Sequence, residues 1–200
     1  MPKRQIIILL TTWLAMTLCS ISIAAPQQAP RASMLANSCI ICHGQNGSSN
    51  GPAIPSIAGL SSEYFIFTME GFKNGEIPST VMGQIANGYS TEETQLLADY
   101  FSTKTFIKAK QSFDAKLARK GAKLHEQYCE KCHAEGGQSV QDDAGILAGQ
   151  WTIYLSWALK DFRTNKRQAG KKMQQRLDKL YARKGEQGFT ALLHYYSSQQ

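Results

Sequence analysis

Two hundred residues suit one or two small domains, and the formal net charge is +7. Outside Ile6 to Ile23 no apolar stretch approaches membrane length, which excludes a multi-span membrane protein. The charge is uneven. Residues 26–102 hold two basic against six acidic side chains, net −4, and residues 103–200 hold 18 against nine, net +9. Such a dipole favours oriented docking to charged partners, although solvated helix faces alone would also produce it.

The N-terminus reads as a signal peptide, residues 1–25. Lys3 and Arg4 form a basic start, Ile6 to Ile23 is mostly apolar, and Ser22-Ile23-Ala24-Ala25 offers small residues for cleavage after Ala24 or Ala25. A retained anchor of about 18 residues is the alternative, since that length can span. Cys19 lies inside the apolar run and leaves with the signal. The mature chain is expected to be exported to a periplasm, with no stable membrane insertion.

The four remaining cysteines fall into Cys39-Ile40-Ile41-Cys42-His43 and Cys129-Glu130-Lys131-Cys132-His133. Cys-x-x-Cys-His is the attachment signal for c-type haem. Two thiols three positions apart can add to the two vinyl groups of one porphyrin. The adjacent His then supplies an axial nitrogen to the iron. Two such pentapeptides, consuming every cysteine of the mature chain, predict two covalently bound haem c groups. Nucleic acid is a poor partner for basic residues that sit on a haem module.

The elements follow around these motifs. Met34, Leu35, Ile40 and Ile41 fit one short helix carrying Cys39, Cys42 and His43. Gly44 to Pro55 is rich in Gly, Asn, Ser and Pro and reads as a loop. Ser61 caps a helix with Tyr64, Phe65, Phe67, Thr68 and Phe72 on its apolar face, ended by Asn74-Gly75. Ile77 to Gly88 is another loop. Ser90 or Thr91 caps a helix with Leu96, Leu97, Tyr100 and Phe101 inward. In the second half, Phe113 to Cys132 reads as a longer helix and Gly136 to Gly149 as a loop. Trp151 to Arg163 is a helix with Tyr154, Leu155, Trp157, Ala158 and Phe162 on its apolar side. Gln168 to Tyr181 is basic and partly helical, and Phe189 to Tyr196 is the last helix.

The two halves repeat. Cys39 and Cys129, Ile57-Ala58-Gly59 and Leu147-Ala148-Gly149, Tyr64 and Tyr154, and Phe72 and Phe162 all pair at an offset of 90. The expected organisation is an N-terminal unit over 26–102, a linker over 103–112 and a C-terminal unit over 113–200. Each unit is small for an independent core, and a buried porphyrin would supply the central apolar body.

The second iron ligand follows by elimination. His43 is the only His of the first half, so methionine is the next choice. Met34 lies on the helix bearing the proximal His. Met69 sits in an apolar helix where the other repeat has Leu159. Met82 remains, 40 residues after Cys42. Met173, the only methionine of the second half, lies 41 residues after Cys132. The expected ligand pairs are His43 with Met82 and His133 with Met173. His125, one turn before Cys129, and His194, in the last helix, are read as packed or polar residues. The proximal ring needs an acceptor for its second nitrogen, and the Pro55 carbonyl is the candidate, with Gly145 at that place in the second half.

Each half resembles a class I cytochrome c domain. The pair is similar to the dihaem two-domain bacterial cytochromes c, and more narrowly to the cytochrome subunits of flavocytochrome c sulfide dehydrogenases. The stretches carrying this are Met69-Glu70-Gly71-Phe72-Lys73, Val81-Met82-Gly83, Lys110-Gln111-Ser112-Phe113-Asp114, Tyr128-Cys129-Glu130-Lys131-Cys132-His133 and Ile146-Leu147-Ala148-Gly149-Gln150-Trp151. The resemblance implies an all-α fold of two tandem class I cytochrome c domains, each wrapped around one haem c. It implies a separate FAD-containing flavoprotein subunit that oxidises sulfide, with the first haem nearer the flavin. Electrons would pass on to an external acceptor such as a soluble cytochrome. This chain has no Gly-x-Gly-x-x-Gly dinucleotide motif, so flavin chemistry belongs elsewhere. The alternative is a free dihaem carrier serving a terminal oxidase. Two matched methionines argue against a third class, a peroxidase-like enzyme with one open iron.

Overall fold

The alternation of short amphipathic stretches with Gly- and Asn-rich breaks produces helices and turns, with no strand among the described residues. The computed structural model describes residues 28–140 and 144–200; the signal-peptide expectation for residues 1–25 lies outside them.

The first unit holds α1 (Gln28–Ala36), a 3₁₀ turn (Asn37–Cys39), α2 (Ile40–His43), α3 (Ser62–Lys73), α4 (Met82–Ala86) and α5 (Thr91–Ser102). The second holds α6 (Ala115–Tyr128), the turn α7 (Ala134–Gly137), α8 (Thr152–Arg163) and α9 (Lys171–Ser197). Caps set the starts. The Ser61 hydroxyl accepts from the Tyr64 amide at 3.1 Å, and Ser90 and Glu93 form a reciprocal capping box at the start of α5. Asp114 caps α6 by accepting from the Leu117 amide at 2.7 Å.

Each unit has its own core. Phe65 and Met69 of α3 meet Leu97, Ala98 and Phe101 of α5 and Ala36 of α1. Leu155 of α8 meets Leu177, Leu180, Phe189, Leu192 and Tyr196 of α9 and Tyr128 of α6. The backbone confirms the repeat more firmly than the side chains do. The Gly47 carbonyl accepts from Ile57 and Ala58, and the Gly137 carbonyl accepts from Leu147 and Ala148. The Gly59 amide donates to Phe101 and the Gly149 amide to Tyr196, each at 2.9 Å. The 90-residue offset therefore holds through α8 and then stretches to 95 in the last helix.

Several expectations need correction. Residues 28–43 are three helical segments, not one helix, and Met34 and Ile41 are 73 % and 88 % exposed. Small Ala32 and Ala36, with Leu35, face the core there instead. Phe67 and Trp157, equivalent in the repeat, are both more than half exposed, so the apolar faces of α3 and α8 are narrower than read. The Ile77–Gly88 loop contains α4. The helix expected over 113–132 stops at Tyr128, because Cys129 onward turns to present the haem motif. The two last helices join as α9, broken only at Gly185, whose φ of 58° is left-handed. The segment between the units is an extended strap, and Ala109 donates its amide to the Gly149 carbonyl at 2.7 Å.

Candidate haem sites

The 3₁₀ turn after α1 sets the first motif. Ser38 donates to the Leu35 carbonyl at 2.7 Å and shares a 2.6 Å hydrogen bond with the Tyr89 hydroxyl, which fixes the backbone at Cys39. Cys39 is half-buried and Cys42 exposed, and neither is spent on a disulfide. Burial pushes the Cys39 thiol above its ordinary value.

His43 is buried, and its Nδ1 lies 2.8 Å from the Pro55 carbonyl oxygen. A carbonyl can only accept, so Nδ1 carries the proton and Nε2 keeps its lone pair. Burial also pulls the His43 pKa down, which favours the neutral ring. A neutral imidazole with one nitrogen anchored and the other free is the state an iron ligand requires. This acceptor is the one expected for His43.

The second motif sits where α6 ends. The Cys129 amide donates to the His125 carbonyl at 2.7 Å, and the His133 amide donates to Cys129 at 2.9 Å. Burial pushes the Cys129 thiol up to about 11. Cys129, Cys132 and His133 thus share one tight turn. Gly145, at the place expected for the second acceptor, lies among the described residues and abuts the Tyr64 ring, where an added Cβ would fall 2.8 Å from Cζ.

The two candidate methionines take matching places. Met82 opens α4 and Met173 lies in the first turn of α9, and each packs half-buried against the core of its own unit. Met69 is buried in the first core, and Leu159 packs against the second. His125 is buried with Nδ1 3.0 Å from the Tyr196 hydroxyl and Nε2 2.6 Å from a Glu130 carboxylate oxygen, so both ring nitrogens are spoken for. His194 Nδ1 accepts from the Asp114 amide at 3.0 Å.

The face between the units carries polar residues that the sequence reading did not single out. Arg167 is only 7 % exposed, and among the described residues it pairs with no carboxylate. It donates to the Tyr64 hydroxyl at 3.5 Å, neighbours the Tyr154 phenol, and lies 4.7 Å from the centre of the Phe162 ring. A buried guanidinium among phenols suits an anion, and the carboxylates of a porphyrin fit that donor set. A signal existed. In the repeat Arg167 stands where the first unit has buried Ile77, a cation on an aliphatic register.

No protein-family model matches the chain. It is 47 % identical over 76 residues to the cytochrome subunit of sulfide dehydrogenase of Chlorobaculum tepidum, covering 38 % of this chain and 68 % of that one. It is 30 % identical over 149 residues to cytochrome c4 of Stutzerimonas stutzeri, covering 64 % and 69 %. This chain belongs to the dihaem class I cytochromes c. The crystal structure of reduced recombinant cytochrome c4 from Pseudomonas stutzeri superimposes with a TM-score of 0.70 at 25 % identity, over 84 % of this cytochrome and 97 % of that chain. The cytochrome is thus two tandem class I domains carrying two covalently bound haem c groups, as its motifs require. Among the described residues no helix is long and apolar enough to cross a membrane.

Proposed function

We propose that this cytochrome is the electron-transfer subunit of a periplasmic sulfide-oxidising flavocytochrome c. In this reading it takes electrons from the FAD of a flavoprotein subunit and passes them to an external acceptor such as a soluble cytochrome. The observation that carries it is the 47 % identity to a sulfide dehydrogenase cytochrome subunit. The proposed units are residues 26–102 and 113–200, exported by cleavage of residues 1–25.

Cys39 and Cys42 would hold one haem and Cys129 and Cys132 the other, with His43 and Met82, and His133 and Met173, as the residues that would ligate the two irons. Haem iron supplies reversible one-electron chemistry. The chain's own work is to fix that chemistry in place. The Pro55 carbonyl orients His43, and the half-buried methionines would supply the second ligand to each iron, so that neither is left for substrate. Arg167, Tyr64 and Tyr154 would receive haem carboxylates between the units and bring the two centres to one interface.

A second reading is a free dihaem carrier to a terminal oxidase. The similarity to cytochrome c4 over 149 residues favours it, since the sulfide dehydrogenase match spans only 76. Mild purification from the native host separates the two. Co-purifying flavin and rapid haem reduction by sulfide support the subunit reading. Two haems without flavin, reduced slowly by sulfide, support the free carrier. Rapid reduction by thiosulfate and not sulfide would change the donor.

A further inference from the structure

The second domain grips the first domain's proximal loop at one point. Gln150, 2 % exposed, sits just before α8. Its Oε1 accepts from the Ser56 amide at 3.0 Å, and its Nε2 donates to the Ser56 carbonyl at 2.9 Å. One side-chain amide thus satisfies both backbone groups of a residue 94 positions away. Ser56 follows Pro55, whose carbonyl accepts from His43 Nδ1 at 2.8 Å. The peptide that carries this acceptor is therefore the same peptide whose amide Gln150 holds.

Neighbouring contacts stiffen the grip. Trp151 Nε1 donates to the Ser49 carbonyl at 3.1 Å, and the Ser49 amide donates to the Ser56 hydroxyl at 3.0 Å. The indole also covers Gly51, where an added Cβ would fall 2.2 Å from the ring. Gln150 is itself fixed, because Gln111 Nε2 donates to its carbonyl at 2.8 Å and the Trp151 amide donates to its Oε1 at 3.1 Å. The grip runs one way. At the repeat-equivalent positions stand Leu60, where the second domain has Gln150, and Ile146, where the first has Ser56.

We infer that Gln150 is a positioning residue for the first haem: through the Pro55–Ser56 peptide it sets the His43 hydrogen bond, so the second domain tunes the first domain's potential. The inference rests on His43 being the proximal ligand. A proximal ring that donates to a well-held carbonyl is more basic, which stabilises the oxidised iron. Loosening the carbonyl weakens that bond and raises the potential.

The test uses holo-cytochrome with Gln150→Leu, which installs the residue that the first repeat carries. Both haems are titrated spectroelectrochemically and assigned by their hyperfine-shifted proton signals. Expected are an upward shift of the first haem's potential, faster exchange of the His43 ring N–H, and an unmoved second haem. Neither haem shifting, or both shifting together, would overturn the inference, since a merely structural loss moves both. Trp151→Phe removes the Ser49 hydrogen bond and part of the cover over Gly51 while leaving Gln150 in place, and should give the same one-sided shift, smaller. It decides the matter if Gln150→Leu fails to accumulate. If wild-type spectra show a first haem without histidine ligation, the ligand assignment fails instead.

Discussion

Arg167 of the second domain donates to the Tyr64 hydroxyl of the first at 3.5 Å, beside Tyr154, which holds the place of Tyr64 in its own repeat. The repeat thus folds so that its own equivalent phenols gather at one guanidinium. The neighbouring Tyr64 phenol, then burial, holds the Tyr154 hydroxyl above its ordinary value of 10.0. The unfolded chain releases this proton near pH 10 while the folded chain keeps it, so stability falls as pH rises above 10. Thermal unfolding from pH 8 to 11 should show the midpoint dropping above pH 10. Tyr154→Phe should flatten that drop. An equally steep drop in the variant would remove Tyr154 from the account.

Arg167 leads to a redox prediction. A buried cation beside a haem disfavours the more positive oxidised iron and so raises the potential. Arg167→Met keeps much of the volume and deletes the charge, so the haem potentials should fall. Redox titration checks this. Unchanged potentials would show that the charge is neutralised or distant from both irons.

What the sequence disclosed and what it hid divide along physical lines. The two Cys-x-x-Cys-His motifs, the Ser61 and Ser90 caps and the Met82–Met173 register are local patterns, readable without a fold. The His43–Pro55 hydrogen bond was legible because one short loop, Gly44 to Pro55, leads from the ligand to its acceptor. The Gln150–Ser56 and Arg167–Tyr64 contacts were not, because these partners lie 94 and 103 residues apart in different domains. Phe67 and Trp157 misled for a related reason. An aromatic on an amphipathic helix reads as core, yet both lie at a margin that the protein alone leaves open.

The α6–α9 crossing predicts a stability effect. A Cβ on Gly121 would lie 2.0 Å from the Ala191 carbonyl oxygen, and that backbone cannot yield without parting the helices. Gly121→Ala should cost about 1–3 kcal/mol, the usual range for overpacking. Differential scanning calorimetry should show the second domain melting earlier with the first little changed. Gly170→Ala is the control, since nothing lies within 4 Å of its added Cβ.

The methionines give the sharpest contrast. Met82 and Met173 sit half-buried at the start of equivalent helices, whereas Met69 is buried beside Phe65 and Phe101. Met82→Ala or Met173→Ala should open one face of one iron. That haem should lose its His/Met low-spin spectrum, fall in potential and bind added imidazole, while the other haem keeps its spectrum. Met69→Leu should change neither spectrum and cost under about 1.5 kcal/mol, because leucine conserves volume and Leu159 already fills the equivalent place. Absorption spectra of the three holo-variants with and without imidazole check the assignment. Low-spin His/Met spectra retained for both haems in both alanine variants would overturn it, and ligand loss in Met69→Leu would move the first ligand from α4 to α3.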